Sequence, residues 1–202
     1  MRRTLALLLM LASSACSWPA RGEVWDEVHG ATLRLEVPGG ICSGTAVGRY
    51  TILTASHCFY GKDGKPTKPR TITANGELCE VWKLTTDKND HALLVVGGCE
   101  FAITAKLGNT AKVGDRVFAW SNPSEFRDIL LFGEVAGYAD SDLIDAKATL
   151  YNLNAYFGSS GGGIFNAQGK LVGVISIATH PYKLMGSFPL AFTKAQMREA
   201  GL

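Results

Sequence analysis

An all-β fold of antiparallel sandwiches or barrels is what this sequence predicts, and three observations carry the prediction. Short apolar runs recur along the chain, and Thr32 to Val37 alternates with period two. Gly, Pro, Asn and Asp punctuate nearly every gap between them. A helix-like pattern stands only near the C-terminal end, over Lys194 to Ala200, as a short cap.

Before the first strand, Arg2 and Arg3, the apolar run Leu5 to Leu11 and the small residues Ala12-Ser13-Ser14-Ala15 form the three parts of an export signal, expected over residues 1–20. Seven apolar residues are too few to cross a bilayer, which takes about 20. Cys16 after small residues resembles a bacterial lipoprotein cleavage site, where that cysteine becomes the acylated first residue. Ser13 stands where leucine is usual there, and ordinary cleavage near Ala15 or Ala20 fits equally. The expected localisation is therefore exported: periplasmic, outer-membrane lipoprotein or secreted.

From about residue 25 to residue 202 no linker, repeat or low-complexity block interrupts the chain, so one folded unit is expected. Thr32 to Val37 alternates and ends at Pro38-Gly39-Gly40, a strand and turn. Gly44 to Gly48 and Tyr50 to Thr54 read as a hairpin running into Ala55-Ser56-His57-Cys58. Lys62 to Arg70 is a Pro- and Lys-bearing surface loop. Glu77 to Leu84 and His91 to Val96 flank the turn Asp87-Lys88-Asn89-Asp90. Further strands are read at Arg116 to Trp120, Ile129 to Val135, Ala148 to Leu153, Lys170 to Ala178 and Ser187 to Phe192.

Charge and cysteines narrow the class. Against 20 basic residues stand 18 acidic ones, and removing residues 1–20 takes away two arginines and no acid, leaving 18 of each. A near-neutral chain argues against nucleic acid or an anionic membrane as a main partner. Setting Cys16 aside leaves Cys42, Cys58, Cys79 and Cys99, which in an exported chain suggest two disulfides with three possible connectivities. Folding 77–96 as a hairpin puts Cys79 opposite Cys99, the preferred pairing.

The segment Gly158-Ser159-Ser160-Gly161-Gly162-Gly163 is the chemical focus. Glycine tolerates positive φ and lets backbone N–H groups converge on one point, as an oxyanion hole requires. A nucleophilic serine there needs a general base, and four histidines are present: His29, His57, His91 and His180. His57 ends an apolar strand and is followed by a cysteine that would pin it.

Thr54-Ala55-Ser56-His57-Cys58 resembles the histidine motif of the trypsin-like serine proteases, and Cys42-Ser43-Gly44-Thr45-Ala46 resembles the strand carrying its partner cysteine. Gly158-Ser159-Ser160-Gly161-Gly162 resembles the serine motif, and the order of the three is that of the family. Asp90, before His91-Ala92-Leu93-Leu94, matches the family's acid; Asp87 lies close enough to compete but reads as a turn residue. Gly114 to Pro123 and Leu131 to Gly137 resemble the start of the second barrel in the bacterial HtrA-like branch. The resemblance covers roughly residues 30 to 195, with no segment for a PDZ domain.

What the resemblance implies is specific. The fold would be two six-stranded antiparallel β-barrels packed together, and Cys42–Cys58 would brace the histidine. His57 would take the proton of Ser160, Asp90 would orient the imidazole, and the N–H groups of Gly158 and Ser160 would hold the oxyanion. The substrate would be a peptide or protein; no metal or cofactor is required. Asn154 falls where trypsins place the acid that receives Arg or Lys, and Ser176 and Ala178 lie on the pocket strand, so an uncharged pocket is expected. His180 near that wall reads as a surface-loop residue. Ser159 replaces the aspartate that pairs with a new N-terminus in zymogen-derived relatives, so no activation of that kind is expected.

Two other classes fit the sequence less well. The nucleophile elbow of α/β-hydrolases needs a helix after the serine and an acid later in the chain. Ile164 to Lys170 reads instead as strand, turn and strand, and no Asp follows Ser160. A catalytically silent protease fold, serving as a binding module or envelope lipoprotein, usually lacks a triad member, and none is missing here.

Overall fold

The computed structural model describes residues 22–61, 63–141, 144–179 and 184–202. The expected signal segment, Cys16 and His180 lie outside them. Among the described residues no helix is long and apolar enough to cross a membrane.

The first six strands are β1 (Thr32–Val37), β2 (Gly40–Gly48), β3 (Thr51–Ala55), β4 (Thr71–Ala74), β5 (Glu77–Thr86) and β6 (His91–Gly97). They form a closed antiparallel barrel in the order β1-β2-β3-β6-β5-β4, sealed where Leu35 of β1 faces Ala74 of β4. Leu35, Ile52, Phe59 and Leu94 fill its interior. Strands β7 (Arg116–Ser121), β8 (Ile129–Asp140), β9 (Lys147–Tyr151), β10 (Gly163–Asn166), β11 (Leu171–Val174), β12 (Ile177–Thr179) and β13 (Leu184–Ser187) form the second unit. Its order is β11-β10-β7-β8-β9-β13-β12, one strand more than expected because the pocket-wall strand is broken into β11 and β12. Val117, Tyr151, Ile164 and Ile175 make its core. A third apolar layer, with Leu53 and Leu93 from the barrel and Phe118 and Phe165 from the second sheet, joins the two.

The cysteines pair as Cys42–Cys58 and Cys79–Cys99. A 16-residue loop closed by the first bond is worth about 3 kcal/mol in chain entropy.

Three elements depart from the sequence reading. A nine-residue helix α1 (Glu23–Ala31) precedes β1, where no helix was expected. Its N-cap Gly22 makes no side-chain cap bond, so the usual start signal is missing. Burial holds it instead: Val28 joins the layer between the two units, and the Trp25 ring stacks on Phe118 at 5.6 Å. β4, only four residues long, was not among the expected strands. The strand expected at Ser187 to Phe192 ends at Ser187, since Pro189 cannot donate to a ladder. Its carbonyl and the N–H of Ala191 are taken by side chains from the barrel. Helix α2 (Lys194–Glu199) closes the chain with a capping box between Thr193 and Gln196.

Candidate active site

The site is assembled from three turns, two on the barrel and one on the second sheet. After β3 the chain enters a short 3-10 turn, Ser56–Phe59, which carries His57 beside the Cys42–Cys58 bridge. The β5–β6 turn presents Asp90 in a left-handed conformation, φ 65°. The two side chains meet: His57 Nδ1 lies 2.7 Å from Asp90 Oδ2. Asp90 Oδ1 accepts from the His57 N–H and the Ser56 hydroxyl, each at 2.9 Å, so the carboxylate has a single orientation. Only 14% of the Asp90 side chain is exposed, against 36% for His57.

The third turn, between β9 and β10, carries Ser160. The Ser43 N–H from the barrel donates to the Ser160 carbonyl at 2.8 Å, and the Gly161 N–H donates to Ile175. Gly158 and Gly161 have φ of 96° and 82°, values that only glycine adopts without strain. A Cβ on Gly158 would stand 2.6 Å from the Ser124 nitrogen. The Ser43 hydroxyl accepts from the Asn122 N–H and donates to the Gly158 carbonyl, sewing this turn to the barrel. The N–H groups of Gly158 and Ser160 donate to none of the described residues.

Ser159 is fully buried, its hydroxyl 3.1 Å from that of Ser121 and accepting from the Tyr156 N–H. Where a carboxylate would need a cation, a hydroxyl is satisfied by neutral neighbours.

Two cavities meet at Ser160. One, about 810 Å³, is lined by His57, Gly158, Phe157, Tyr60 and the Cys42–Cys58 bridge. The other, about 500 Å³, is lined by Ile175, Ile177, Met185, Phe157 and the three residues expected at the pocket, Asn154, Ser176 and Ala178. Asn154 and Ala178 are exposed at the rim. Buried Met185 faces Ala178 from β13, a pairing invisible in the sequence because the strands meet only in the folded sheet.

Asp87 was read as a plain turn residue, and the structure corrects this. Its side chain is 1% exposed and pairs with fully buried His91, Nδ1 to Oδ2 at 2.8 Å. Burial pushes the Asp87 carboxyl up, but hydrogen bonds and charge from His91 and the N–H groups of Ala191 and His91 outweigh it, leaving the carboxyl below its ordinary value. The Asp-x-Asn spacing of an Asx turn was the signal available.

A closed antiparallel barrel packed on a second antiparallel sheet is the architecture of the trypsin-like double-barrel fold. The chain belongs to the trypsin-like peptidase domain family, whose model matches residues 42–174. No curated protein sequence matches it. Among solved structures it is similar to the Rv3671c protease from M. tuberculosis in its active form: TM-score 0.71, 15% identity, 88% of this chain and 84% of that one. The inactive form of that protease gives a TM-score of 0.71 at 14% identity, over 89% and 93% of the two chains. At such identity the likeness speaks for the fold.

Proposed function

We propose that this protein is a serine endopeptidase of an oxidising, extracytoplasmic compartment, working through His57, Asp90 and Ser160. The observation that carries the reading is the 2.7 Å His57–Asp90 pair opening on the cavity that Ser160 lines. Nδ1 of His57, held as a donor by Asp90, leaves Nε2 as the base that takes the serine proton. Ser160 attacks the peptide carbonyl, and the oxyanion forms within reach of the Gly158 and Ser160 N–H groups, which no described residue engages. His57 then protonates the leaving amine, and water, activated by the same imidazole, hydrolyses the acyl-enzyme.

The apolar cavity beside Ser160 supports an uncharged, medium-to-large side chain on the acyl side of the cleaved bond, seated against Ile175, Ile177 and Met185. Among the described residues no carboxylate lines it to receive Lys or Arg. The two disulfides fit an exported protein. Residues 1–20 would be the signal, with Cys16 a lipid-attachment site if cleavage falls before it.

A fluorophosphonate probe is expected to label the folded protein on Ser160 and not the Ser160→Ala variant, and a peptide library should show apolar side chains before the cut. Absence of labelling would move the protein to the silent binding-module class, and a strong basic preference would overturn the pocket assignment. Because Ser159 is satisfied without an ion pair, the chain lacking residues 1–20 should be active as purified. Activity that appeared only after trimming at a defined internal site would contradict this.

A further inference from the structure

Asp90 is held on both sides by one atom. Its left-handed backbone, φ 65°, is unfavourable for a residue with a Cβ and persists only where its surroundings impose it. The N–H before it, of Asn89, and the N–H after it, of His91, both donate to Oδ1 of Asp87, each at 2.9 Å. Oδ2 of the same carboxylate takes His91 Nδ1 at 2.8 Å and the Ala191 N–H at 2.7 Å. The Asp87 N–H donates to the His91 carbonyl at 3.0 Å, closing the ring. The Asn89 side chain adds a further tie, donating to the Pro189 carbonyl at 2.7 Å.

A surface turn has no need of four donors on one buried carboxylate. Among the described residues buried His91 Nε2 has no hydrogen-bond partner, so the imidazole's hydrogen bonding runs through Nδ1 to Asp87. The turn thus supplies the carboxylates of two histidine pairs: Asp90 with His57, which lines the cavity, and Asp87 with His91, which is buried.

We propose that Asp87, with His91 as its buried partner, is a positioning residue for Asp90, fixing where the carboxylate meets His57. This rests on the serine-peptidase reading of the site. Asp87 touches neither His57 nor Ser160; it acts by clamping the peptide groups either side of Asp90.

The test compares Asp87→Asn with the wild type and with Thr51→Val, which loses the distant hydroxyl tie to the Ala200 carbonyl and serves as a stability control. An amide in place of the carboxylate weakens acceptance from three backbone N–H groups and an imidazole. In Asp87→Asn, kcat is expected to fall about 10- to 100-fold, the size typical of outer hydrogen-bond partners that orient a functional group, with KM within about threefold. The downfield proton NMR signal of His57 Nδ1–H expected in the wild type should shift or broaden away. Thr51→Val should keep both kcat and that signal despite a lower melting temperature. If Asp87→Asn does not fold, His91→Gln, which retains the backbone donors, carries the test with a smaller loss in the same direction. Unchanged kcat and an unchanged His57 signal in the folded variant would overturn the proposal. A wild type that shows the signal and its loss in Asp87→Asn, yet neither labels nor cleaves, would sustain the positioning role while removing the peptidase reading.

Discussion

Asp90→Asn is expected to lower kcat about 10⁴-fold while leaving KM nearly unchanged. The size of the loss follows from the direction of three hydrogen bonds. The His57 N–H and the Ser56 hydroxyl both donate to Oδ1 of Asp90. In the variant that position must keep the oxygen of the amide, because an NH₂ group there would face two donors. The NH₂ is thereby turned toward His57 Nδ1, which must accept from it. The imidazole proton is then displaced to Nε2, and a nitrogen that carries a proton cannot take one from Ser160. The geometry survives and the base does not. Steady-state kinetics on a peptide amide, together with the rate of fluorophosphonate labelling, check this; a loss below tenfold would mean that Asp90 does not set the tautomer of His57.

Gly161→Ala should destabilise the fold by about 4 kcal/mol, enough to unfold a marginal domain. Two penalties add. At φ 82° a residue with a Cβ is strained whatever surrounds it. The added methyl would also run into the Thr54 hydroxyl, the Ser43 carbonyl oxygen and, at 2.8 Å, the Ala55 nitrogen. Two of these are backbone atoms of the barrel, and the Thr54 hydroxyl is itself engaged with the Ser43 carbonyl at 2.7 Å, so nothing can step aside cheaply. The expected result is a large fall in the urea midpoint, with the slope of the transition unchanged. A loss under 1 kcal/mol would show that the serine turn is free to move away from the barrel.

Where the candidate site rides on contiguous residues, it was legible in the sequence. Thr54 to Cys58 and Gly158 to Gly163 place a histidine and a serine in recognisable local contexts, and Asp90 stands immediately before the apolar run of β6. The Cys79–Cys99 pairing followed from hairpin geometry, since register in a two-stranded ladder is a matter of counting. Contributions made across sequence distance were not legible. Trp25 and Val28 fold as a helix because Phe118 and its neighbours cover them, not because the local sequence caps it. Met185 enters the pocket through a ladder with β12. Asp87 carries the same local signal whether it lies on the surface or under Ala191, and only the chain crossing above it decides which.

That crossing would tie the completion of the candidate site to the order in which the protein folds. Asn89 meets Pro189 across 100 residues of sequence, Asp87 meets Ala191 across 104, and Ser43 meets Gly158 across 115. Contacts of such separation close late, after local hairpins have formed, because the loop entropy is spent before they return anything. The barrel can acquire its strands and disulfides early, yet the turn bearing Asp90 and the loop bearing Ser160 gain their final bonds only when the rest of the chain docks. On the serine-peptidase reading, a chain with this wiring would complete its cutting site only after its own segments have folded.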